Sequence, residues 1–369
     1  MKVIITGSDG FIGKNLSIFL SSIGYEVIRI TRSSTSQDIA SAVKIADVIF
    51  HLAGVNKTQN NEELKTGNIG FTEKILSILE ECDRGIPLIY SSTIQAVKCN
   101  EYGLSKKMTE DLIAERCLAS NIPYQIYRLP NIFGKWCRPN YNSFIATFCY
   151  NISRNLPIEI HDENAIVELV YIDDLCNHFA KILEGEIKSG IFSLELESYK
   201  VSVGEILRLI NDYKNLPSSS FVLSFGSGLH RKLYATYLSY KPSSQYIHDL
   251  DIHGDDRGNF IEFVKNKDTG QVSFFSSLPG VTRGEHYHHT KNEKFLVIKG
   301  EATFQLRHLI SNELISFKLS GKQPKIVESI PGWAHNITNT GKSEMLVMLW
   351  SNEVFNRSSP DTYVSKVNS

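Results

Sequence analysis

The chain has 369 residues, more than one hydrophobic core usually supports, so we expect two domains. Its 39 basic and 40 acidic residues leave a net charge of −1, which argues against nucleic acid or an anionic membrane as a partner. No signal peptide precedes the first predicted strand, and no apolar run reaches the roughly 18 residues of a membrane span, so a cytoplasmic location is expected. Six scattered cysteines without a Cys-x-x-Cys pair are typical of small buried side chains in a reducing compartment.

The first thirteen residues predict a dinucleotide-binding turn. An apolar strand, Lys2–Thr6, is followed by Gly7, Gly10 and Gly13 and then by a helical pattern. The first glycine allows a tight turn, the second lets the backbone approach a pyrophosphate, and the third lets the helix pack on the strand. A structural turn without a ligand is one alternative. The phosphate loop of a nucleotide triphosphatase is another, but Ser8 replaces its first glycine.

Strand and helix patterns alternate from residue 1 to about residue 210, which predicts an α/β fold with a doubly wound parallel sheet of Rossmann type. Strands are predicted at Lys2–Thr6, Glu26–Thr31, Asp47–Leu52, Pro87–Ser92 and Tyr124–Leu129. Later helices are predicted to begin near Asp173-Asp174 and near Ser202, where Ser202 and Glu205 have capping-box spacing.

The end of the second predicted strand favours NADPH over NADH. An NAD site places an acidic residue there to bond the ribose 2′-hydroxyl, whereas this chain reads Thr31-Arg32-Ser33-Ser34. An arginine flanked by hydroxyls suits a 2′-phosphate, and the alternative is that Arg32 is an ordinary solvated charge. After the third strand, the small residues of Leu52-Ala53-Gly54 let the adenosine half of the cofactor lie close to the backbone. His51, just before them, is interpreted as a packing residue.

Tyr102 and Lys106 are the catalytic candidates. Their spacing puts the phenol and the ammonium one helical turn apart, where the ammonium is expected to lower the tyrosine pKa from about 10. The same spacing recurs at Tyr237 and Tyr287, so spacing alone is not sufficient. Only Tyr102 follows a predicted strand that ends in hydroxyls, Ser91-Ser92-Thr93, and ligands of open parallel sheets bind beyond the carboxyl ends of the strands.

Residues 1 to about 240 resemble the extended short-chain dehydrogenase/reductases that act on nucleotide sugars. The matching segments, in the family's order, are Thr6-Gly7-Ser8-Asp9-Gly10-Phe11-Ile12-Gly13, Leu52-Ala53-Gly54, Ser91-Ser92-Thr93, Tyr102-x-x-x-Lys106, Arg128-Leu129-Pro130-Asn131-Ile132-Phe133-Gly134 and Val170-Tyr171-Ile172-Asp173-Asp174. The resemblance implies that Tyr102 donates a proton to the substrate oxygen. It also implies that Lys106 lowers the pKa of Tyr102 and holds the nicotinamide ribose, and that the glycine turn, with Phe11 and Ile12, binds the cofactor.

The same resemblance implies a hydroxyl that orients the substrate carbonyl. Thr93 is our choice because it follows the strand at the family's offset, and Ser92 is the alternative. Only eight residues separate Thr93 from Tyr102, fewer than is usual in this family. Asn131 lies in a segment that resembles the loop beside the sugar nucleotide and is expected to contact the substrate, unless it is simply a turn asparagine.

The alternation of strand and helix patterns fades after Tyr213. Leu216-Pro217-Ser218-Ser219-Ser220 is predicted to be a turn or flexible loop, and Lys241-Pro242-Ser243-Ser244 the domain boundary. The predicted domains are therefore an NADP-binding domain at residues 1–243 and a second domain at residues 244–369. Short strands broken by Gly, Pro, Asn and Asp predict an all-β sandwich or barrel for the second domain.

Histidines of the second domain have the spacing of metal ligands: Gly280-x5-His286-x-His288-x4-Glu293-x6-Gly300, followed by His335. In a strand, His286 and His288 point to the same face because side chains alternate with period two. With Glu293 and His335 they offer three nitrogens and one oxygen, which suit zinc, iron, nickel or manganese. Histidines that line a polar barrel without metal are the alternative.

These residues resemble the two motifs of the cupin family, a jelly-roll fold whose metal ligands lie at the corresponding four positions. Asp255-Asp256-Arg257-Gly258 and Arg283-Gly284-Glu285-His286 also resemble signatures of cupin-fold deoxysugar epimerases, which implies that Arg283 binds substrate. In those enzymes the histidine is a base and no metal is bound, so His286 is either ligand or base; His288 and Glu293 favour ligand. Another group must then move the proton, and the sequence does not rank the candidates Glu285, Tyr287 and His289.

The whole chain resembles the CapF-type family of capsular polysaccharide synthesis enzymes. This implies C3 epimerisation of a UDP-2-acetamido-2,6-dideoxy-4-hexulose in the cupin, then NADPH-dependent reduction of C4 to a UDP-N-acetyl-6-deoxy-L-talosamine, on the path to UDP-N-acetyl-L-fucosamine. It also implies a homodimer with one zinc ion per cupin. The alternatives are another sugar reductase or dehydratase whose cupin only binds or regulates, and a non-catalytic NADPH sensor. A dehydratase is disfavoured because Ile94-Gln95, rather than an Asp-Glu pair, follows Thr93.

Overall fold

The computed structural model describes residues 1–56, 61–216, 220–224, 226 and 228–368. The chain divides into two compact units, Met1–Lys214 with Gly226–Ser243 and Asn215–Phe225 with Ser244–Ser369. The segment before residue 226 joins the second unit because Ser220 and Val222 exchange backbone hydrogen bonds with Lys265 at 2.8 and 2.9 Å. Most of the loop predicted after Leu216, residues 217–219, lies outside the described residues.

Strands and helices alternate through the first unit. Its strands are β1 (Lys2–Thr6), β2 (Glu26–Ile30), β3 (Val48–His51), β4 (Leu88–Thr93), β5 (Tyr124–Leu129), β6 (Asn131–Phe133), β7 (Ile166–Tyr171), β8 (Gly190–Phe192) and β9 (Tyr199–Ser202). Its helices are α1 (Phe11–Ser22), α2 (Ser36–Val43), α3 (Asn61–Leu64), α4 (Phe71–Cys82), α5 (Glu101–Ala119), α6 (Phe144–Ser153), α7 (Ile172–Ile182), α8 (Val203–Lys214) and α9 (Gly228–Tyr240). A π-helix, Lys65–Gly70, joins α3 to α4, and a 3₁₀ turn, Ile94–Val97, precedes α5.

A six-stranded parallel sheet forms the centre of the first unit, in the order β2-β1-β3-β4-β5-β8. Ile4 and Ile49 belong to an apolar cluster on one face, whereas Ile5 and Phe50 belong to a cluster on the other, so helices cover both faces. The strand order reverses direction between β1 and β3, and open α/β sheets bind ligands in the crevice at such a point. The predicted Rossmann-type class is confirmed.

The five predicted strands agree with β1 to β5 to within one residue at each end. Helix α8 begins at the predicted place because the N–H of Glu205 donates to Ser202 Oγ at 3.1 Å. A small sheet of β6, β7 and β9, and helix α9, were not predicted.

The second unit is built from antiparallel strands. They are β10 (Ile252–Asp255), β11 (Gly258–Asn266), β12 (Gly270–Ser277), β13 (Thr282–Tyr287), β14 (Glu293–Lys299), β15 (Glu301–His308), β16 (Leu314–Ser320), β17 (Ile326–Ser329), β18 (Trp333–Asn339), β19 (Met345–Ser351) and β20 (Tyr363–Val364). One sheet has the order β10-β11-β12-β19-β14-β17 and the other β16-β15-β18-β13-β20. Apolar side chains from both sheets, among them Phe295 and Phe304, form one core, so the predicted all-β class is confirmed.

Two further expectations concern membrane-spanning helices and the cysteines. In the described part of the chain, no helix is both long and apolar enough to cross a membrane. All six cysteines are free; Cys117, Cys149 and Cys176 are buried as predicted, whereas Cys99 is exposed.

Candidate active site and metal centre

The glycine turn brings the end of β1 against the end of β3. Gly7 has a φ of +66°, and a Cβ there would lie 2.8 Å from the backbone of Ala53, so only glycine fits. A Cβ on Gly13 would overlap the carbonyl oxygen of Gly7, so α1 can pack this closely only because residue 13 has no side chain. Gly10 caps α1 without a side-chain hydrogen bond, and no acidic residue lies in the first turn. The first N–H groups of α1 are therefore suited to hold phosphates.

Tyr102 is placed in the first turn of α5, beside the end of β4. Asn100 begins the helix by accepting the N–H of Gly103 at 2.8 Å. Gly103 packs so closely on the 3₁₀ turn that a Cβ would overlap the carbonyl oxygen of Gln95. Burial raises the pKa of Tyr102 to about 12, which is opposite to the expected lowering by Lys106.

Lys106 is buried between the ends of β3 and β4. Its ammonium donates to the carbonyl of Ser91 at 2.7 Å and lies 4.3 Å from the centroid of the Tyr90 ring. A Cβ on Gly54 would lie 3.7 Å from Lys106 Nζ. Burial lowers the pKa of Lys106 to about 7, and the charge of Glu110 opposes this lowering.

The two candidate hydroxyls at the end of β4 have different partners. Ser92 Oγ donates to the fully buried carboxylate of Glu110 at 2.5 Å. Glu110 also accepts Arg128 Nε at 2.9 Å and Nη2 at 2.5 Å. Thr93 Oγ1 instead accepts the N–H of Gln95 at 3.2 Å, so its own proton remains available for a substrate oxygen.

The residues predicted to favour NADPH lie at the end of β2. Arg32 is exposed, and its neighbours Thr31 and Ser33 have hydroxyls 2.8 Å apart. Arg29 on the same strand donates to Asp9 in the glycine turn at 3.0 Å. The arrangement offers a cation and two hydroxyls on one surface beyond the sheet.

His51 is a structural residue, in agreement with its interpretation as packing. It is fully buried, with Nδ1 2.8 Å from Thr6 Oγ1 and Nε2 2.8 Å from Thr72 Oγ1. Burial lowers its pKa to about 3, so the ring is neutral. Its two hydrogen bonds tie β1, β3 and α4 together below the crevice.

The four predicted metal ligands converge in the second unit. Ligand atoms of His286, His288, Glu293 and His335 all lie within 4.8 Å of one another, and the last three residues are buried. Glu293 comes from β14 in one sheet, whereas His286 and His335 come from β13 and β18 in the other, so the cluster lies between the sheets.

The hydrogen bonds of this cluster fit a divalent metal ion. His288 Nδ1 lies 2.5 Å from the carbonyl oxygen of Asp361, which can only accept, so Nδ1 carries a proton. Its Nε2 faces Glu293 Oε2 at 3.1 Å. This contact is favourable when a positive charge lies between the two atoms, either a proton on Nε2 or a metal ion that both bind.

His335 supports the same conclusion. Its Nε2 lies 3.2 Å from Glu293 Oε2, yet among the described residues neither ring nitrogen has a hydrogen-bond partner. Buried polar atoms without partners are rare and mark ligand sites. Burial opposes ionisation of Glu293, but the neighbouring imidazoles and the Lys291 ammonium outweigh it and hold the Glu293 pKa well below its usual range.

Arg283 and Asn131, the predicted substrate contacts, lie in different units. Arg283 Nε and Nη2 are buried without hydrogen-bond partners among the described residues, and its guanidinium carbon lies 5.4 Å from the Phe275 ring centroid. Burial lowers the pKa of Arg283. Asn131 is exposed at the start of β6, and its Nδ2 lies 3.4 Å from the carbonyl oxygen of Glu168.

Each unit matches a known protein family. The NAD dependent epimerase/dehydratase family matches residues 3–194, just over half of the chain. The chain belongs to this family. Membership implies a nicotinamide cofactor at the glycine turn. The Polysaccharide biosynthesis C-terminal domain matches residues 253–363, which include the four-ligand cluster.

Two relatives cover both units. The UDP-2-acetamido-2,6-beta-L-arabino-hexul-4-ose reductase of Pseudomonas aeruginosa is 46% identical over 369 residues, covering 100% of this chain and 99% of that protein. The capsular polysaccharide assembling protein CapF from Staphylococcus aureus has a crystal structure with a TM-score of 0.92 at 40% identity, covering 100% of each chain. The resemblance to CapF-type enzymes is confirmed.

A third match shows the shared fold of this epimerase/dehydratase family. UDP-glucuronic acid 4-epimerase from Bacillus cereus, crystallised with NAD, has a TM-score of 0.56 at 18% identity. The match covers 65% of this chain and 100% of the epimerase chain.

Sequence reasoning missed several residues around both sites. Glu110 lies one turn beyond Lys106 on α5, so helical spacing offered a signal for it. Asn68, in the π-helix, exchanges hydrogen bonds with the backbone of Val55 at 2.8 and 3.0 Å and so fixes the loop after β3. Asp361 contacts the predicted metal ligand His288 from 73 positions away, and no local pattern reveals it.

Proposed function

We propose that this protein is a bifunctional nucleotide-sugar enzyme of capsular polysaccharide biosynthesis. The second unit epimerises C3 of a UDP-2-acetamido-2,6-dideoxy-4-hexulose, and the first unit then reduces C4 with NADPH. The product is a UDP-N-acetyl-6-deoxy-L-talosamine, on the path to UDP-N-acetyl-L-fucosamine.

The observation that carries this proposal is the 46% identity to the P. aeruginosa reductase across the full length of this chain. That relative is named as a reductase of UDP-2-acetamido-2,6-beta-L-arabino-hexul-4-ose. The grouping of Thr93, Tyr102 and Lys106 around the end of β4 supports a reductase with its chemistry in the first unit.

In the proposed reduction, a bound nicotinamide supplies hydride to C4. Thr93 Oγ1 donates a hydrogen bond to the C4 oxygen, since it only accepts from Gln95 and its own proton is not used in that contact. Tyr102 gives its phenol proton to that oxygen as negative charge develops there. The Lys106 ammonium, at the end of the same strand, favours the phenolate that remains and holds the nicotinamide ribose.

The proposed cofactor is NADPH, bound across the crevice above β1 and β3. The glycine turn, with Phe11 and Ile12, holds the pyrophosphate, and Leu52-Ala53 lies against the adenosine half. Exposed Arg32 binds the 2′-phosphate together with the nearby hydroxyls. Asn131 contacts the sugar nucleotide.

In the proposed epimerisation, His286, His288, Glu293 and His335 hold one divalent ion, which we assign as zinc. The ion would stabilise negative charge on a carbonyl or enolate oxygen. Proton removal and return at C3 precede reduction because the 4-keto group acidifies the C3 hydrogen.

The protein groups around the proposed epimerase site have distinct roles. Arg283 binds the substrate: within the described residues its buried Nε and Nη2 donate no hydrogen bond, and Nη2 lies 3.8 Å from Asp255 Oδ1. Among the expected proton-transfer groups, Glu285 has both carboxylate oxygens engaged, by Asn336 and by the backbone of Val367. The side chain of Tyr287 points to the opposite face of β13 from His286, and Tyr287 and His289 both pack against Tyr363, with ring centroids 5.3 and 4.8 Å from that of Tyr363. We therefore assign none of the three as the proton-transfer group. We further propose that the protein functions as a homodimer.

The division of labour is tested by following two signals with one UDP-4-ketosugar in deuterated water. Absorbance of NADPH reports reduction, and NMR reports deuterium at C3. Tyr102→Phe should abolish NADPH oxidation and retain exchange at C3. His288→Ala should abolish exchange but still oxidise NADPH when it is given substrate already epimerised at C3. Tyr237→Phe, which has the same Tyr-x-x-x-Lys spacing, is the control and should retain both.

Two outcomes contradict the proposal. Loss of both activities in either variant would refute the assignment of one reaction to each unit. Reduction by the wild-type protein without deuterium at C3 would instead indicate a reductase whose second unit only binds or regulates.

A further inference from the structure

Residues 361–367, which we call the clasp, lie along the metal-binding side of the second unit. The carboxylate of Asp361 accepts the three consecutive backbone N–H groups of residues 289–291 at 2.7 to 2.9 Å. It also accepts the hydroxyl of Thr290 at 3.0 Å. One side chain thus fixes the loop that connects His288 to Glu293.

The backbone of Asp361 holds a metal ligand directly. Its carbonyl oxygen lies 2.5 Å from His288 Nδ1, which leaves Nε2 to face Glu293. A hydrogen bond of this kind sets both the tautomer and the orientation of a ligating imidazole. The position of His288 therefore depends on a residue far from it in sequence.

A β-bulge places His286 opposite His335. In the pairing of β13 with β18, Gly284 lies opposite Asn336 and His286 opposite His335, so Glu285 is the extra residue. Glu285 has a φ of +61°, a left-handed conformation that costs free energy unless its surroundings hold it. Without the bulge, His286 would move one position and leave the face that His335 occupies.

The clasp holds this bulge at three points. Glu285 accepts the N–H of Val367 on its carboxylate at 2.7 Å and the N–H of Ser365 on its carbonyl at 2.9 Å. In addition, β20 pairs Val364 with His286. Both histidines supplied by β13 and its following loop are thus positioned by the same seven-residue segment.

The clasp has its own attachment to the sheet. Arg307 on β15 donates to the carbonyl of Lys366 at 2.8 and 3.1 Å and to Ser365 Oγ at 2.9 Å. The side chain of Val367 is buried. The clasp is therefore anchored independently of the metal ligands that it contacts.

We propose that the clasp is an integral part of the metal site, with Asp361 and Glu285 as positioning residues that do not touch the ion. This inference rests on the proposed metal site. Disrupting the clasp leaves all four ligands in the chain but releases His286 and His288 from the geometry in which they meet Glu293 and His335.

The test is competition for zinc between the full-length protein and a chromophoric chelator. Asp361→Ala keeps the carbonyl that bonds His288 but removes the carboxylate that holds residues 289–291 and so fixes that carbonyl in place. It should raise the zinc Kd roughly 10- to 100-fold, the usual effect of disturbing an outer hydrogen bond, and should speed zinc release. Asp249→Ala, which removes an exposed carboxylate of the same unit, should leave the Kd unchanged. If the wild-type protein binds zinc and Asp361→Ala binds it with the same Kd, the proposed role of the clasp is wrong.

A second measurement needs no variant. Zinc added to the metal-free wild-type protein should slow hydrogen exchange of the Ser365 and Val367 amides, because both hydrogen-bond to the residue that sets the bulge. Unchanged exchange in these amides would also overturn the inference. A wild-type protein that binds no zinc at all would contradict the metal site itself, which is a distinguishable result.

Discussion

Ser92 and Thr93 are adjacent at the end of β4, but only Thr93 retains a hydroxyl proton that is free to reach a substrate. The Ser92 hydroxyl is committed to Glu110 at 2.5 Å, whereas Thr93 Oγ1 accepts a backbone N–H. Successive side chains of a strand point to opposite faces, so only one of the pair can face the crevice. The structure therefore favours Thr93 over Ser92, the two alternatives that the sequence left open.

Thr93→Val should lower kcat for NADPH oxidation by about 10²- to 10³-fold, the usual effect of losing a donor to a developing oxyanion. Thr93→Ser should recover most of the rate. Ser92→Ala should leave kcat close to wild type but lower the free energy of unfolding by about 1–3 kcal/mol, because Glu110 loses a buried donor. Steady-state kinetics and thermal melts distinguish these effects. A larger loss of kcat in Ser92→Ala than in Thr93→Val would assign the catalytic hydroxyl to Ser92 instead.

The rate of reduction should fall as pH rises above about 7. In the free enzyme Lys106 has a pKa of about 7, so the ammonium required beside Tyr102 is lost above that pH. Glu110→Gln should shift this limb of the kcat/KM profile to lower pH, because the negative charge of Glu110 raises the pKa of Lys106. Ser92→Ala keeps that charge and is the control. If the fall of kcat/KM with pH is not shifted in Glu110→Gln, deprotonation of Lys106 is not its cause.

The free energy of unfolding should rise with pH over the range in which the rate of reduction falls. Between about pH 7 and 10.5 the unfolded chain binds a proton on Lys106 that the folded chain lacks, so this lysine makes the free energy of unfolding rise with pH. Lys106→Met should remove that contribution. Denaturant titrations at pH 7 and pH 9.5 would detect it, and they would show that the loss of activity at high pH is not unfolding.

The two sites differ in how far sequence alone could define them. Tyr102 and Lys106 were paired correctly on one helix because residues four apart lie on one face. The predicted lowering of the Tyr102 pKa is wrong, because burial of the phenol raises it and the Lys106 ammonium instead donates to the carbonyl of Ser91. Local periodicity thus predicts that the two residues lie on one helix face, but it does not predict the direction of their pKa shifts.

The metal cluster shows the same limit at longer range. The spacing of His286 and His288 indicated a common face, and both rings do meet, with centroids 4.9 Å apart. The spacing did not reveal that β13 ends at Tyr287 or that Glu285 forms a bulge. These features depend on pairing with β18 and on Asp361, and such contacts leave no periodic signal in the chain.

Removal of the metal should destabilise the second unit. Chelation leaves the His288 lone pair facing the Glu293 carboxylate at 3.1 Å, so the apo site binds a proton or rearranges. A ligand present at 100 times its Kd stabilises the folded state by about 2.7 kcal/mol, and chelation should remove stability of that order. Thermal melts with chelator and then with added zinc measure this, and His335→Ala should respond to neither.

The preference for NADPH should depend on Arg32. Its exposed guanidinium lies at the end of β2, where the ribose of the adenosine half is held in this fold. Arg32→Ala should raise the KM for NADPH about tenfold, as expected for loss of one charged hydrogen bond of about 1.5 kcal/mol, and should leave the KM for NADH unchanged. Because NADH lacks only the 2′-phosphate, it serves as the internal control. An equal effect on both cofactors would place Arg32 outside the phosphate site and leave the preference to Arg29 or to the hydroxyls.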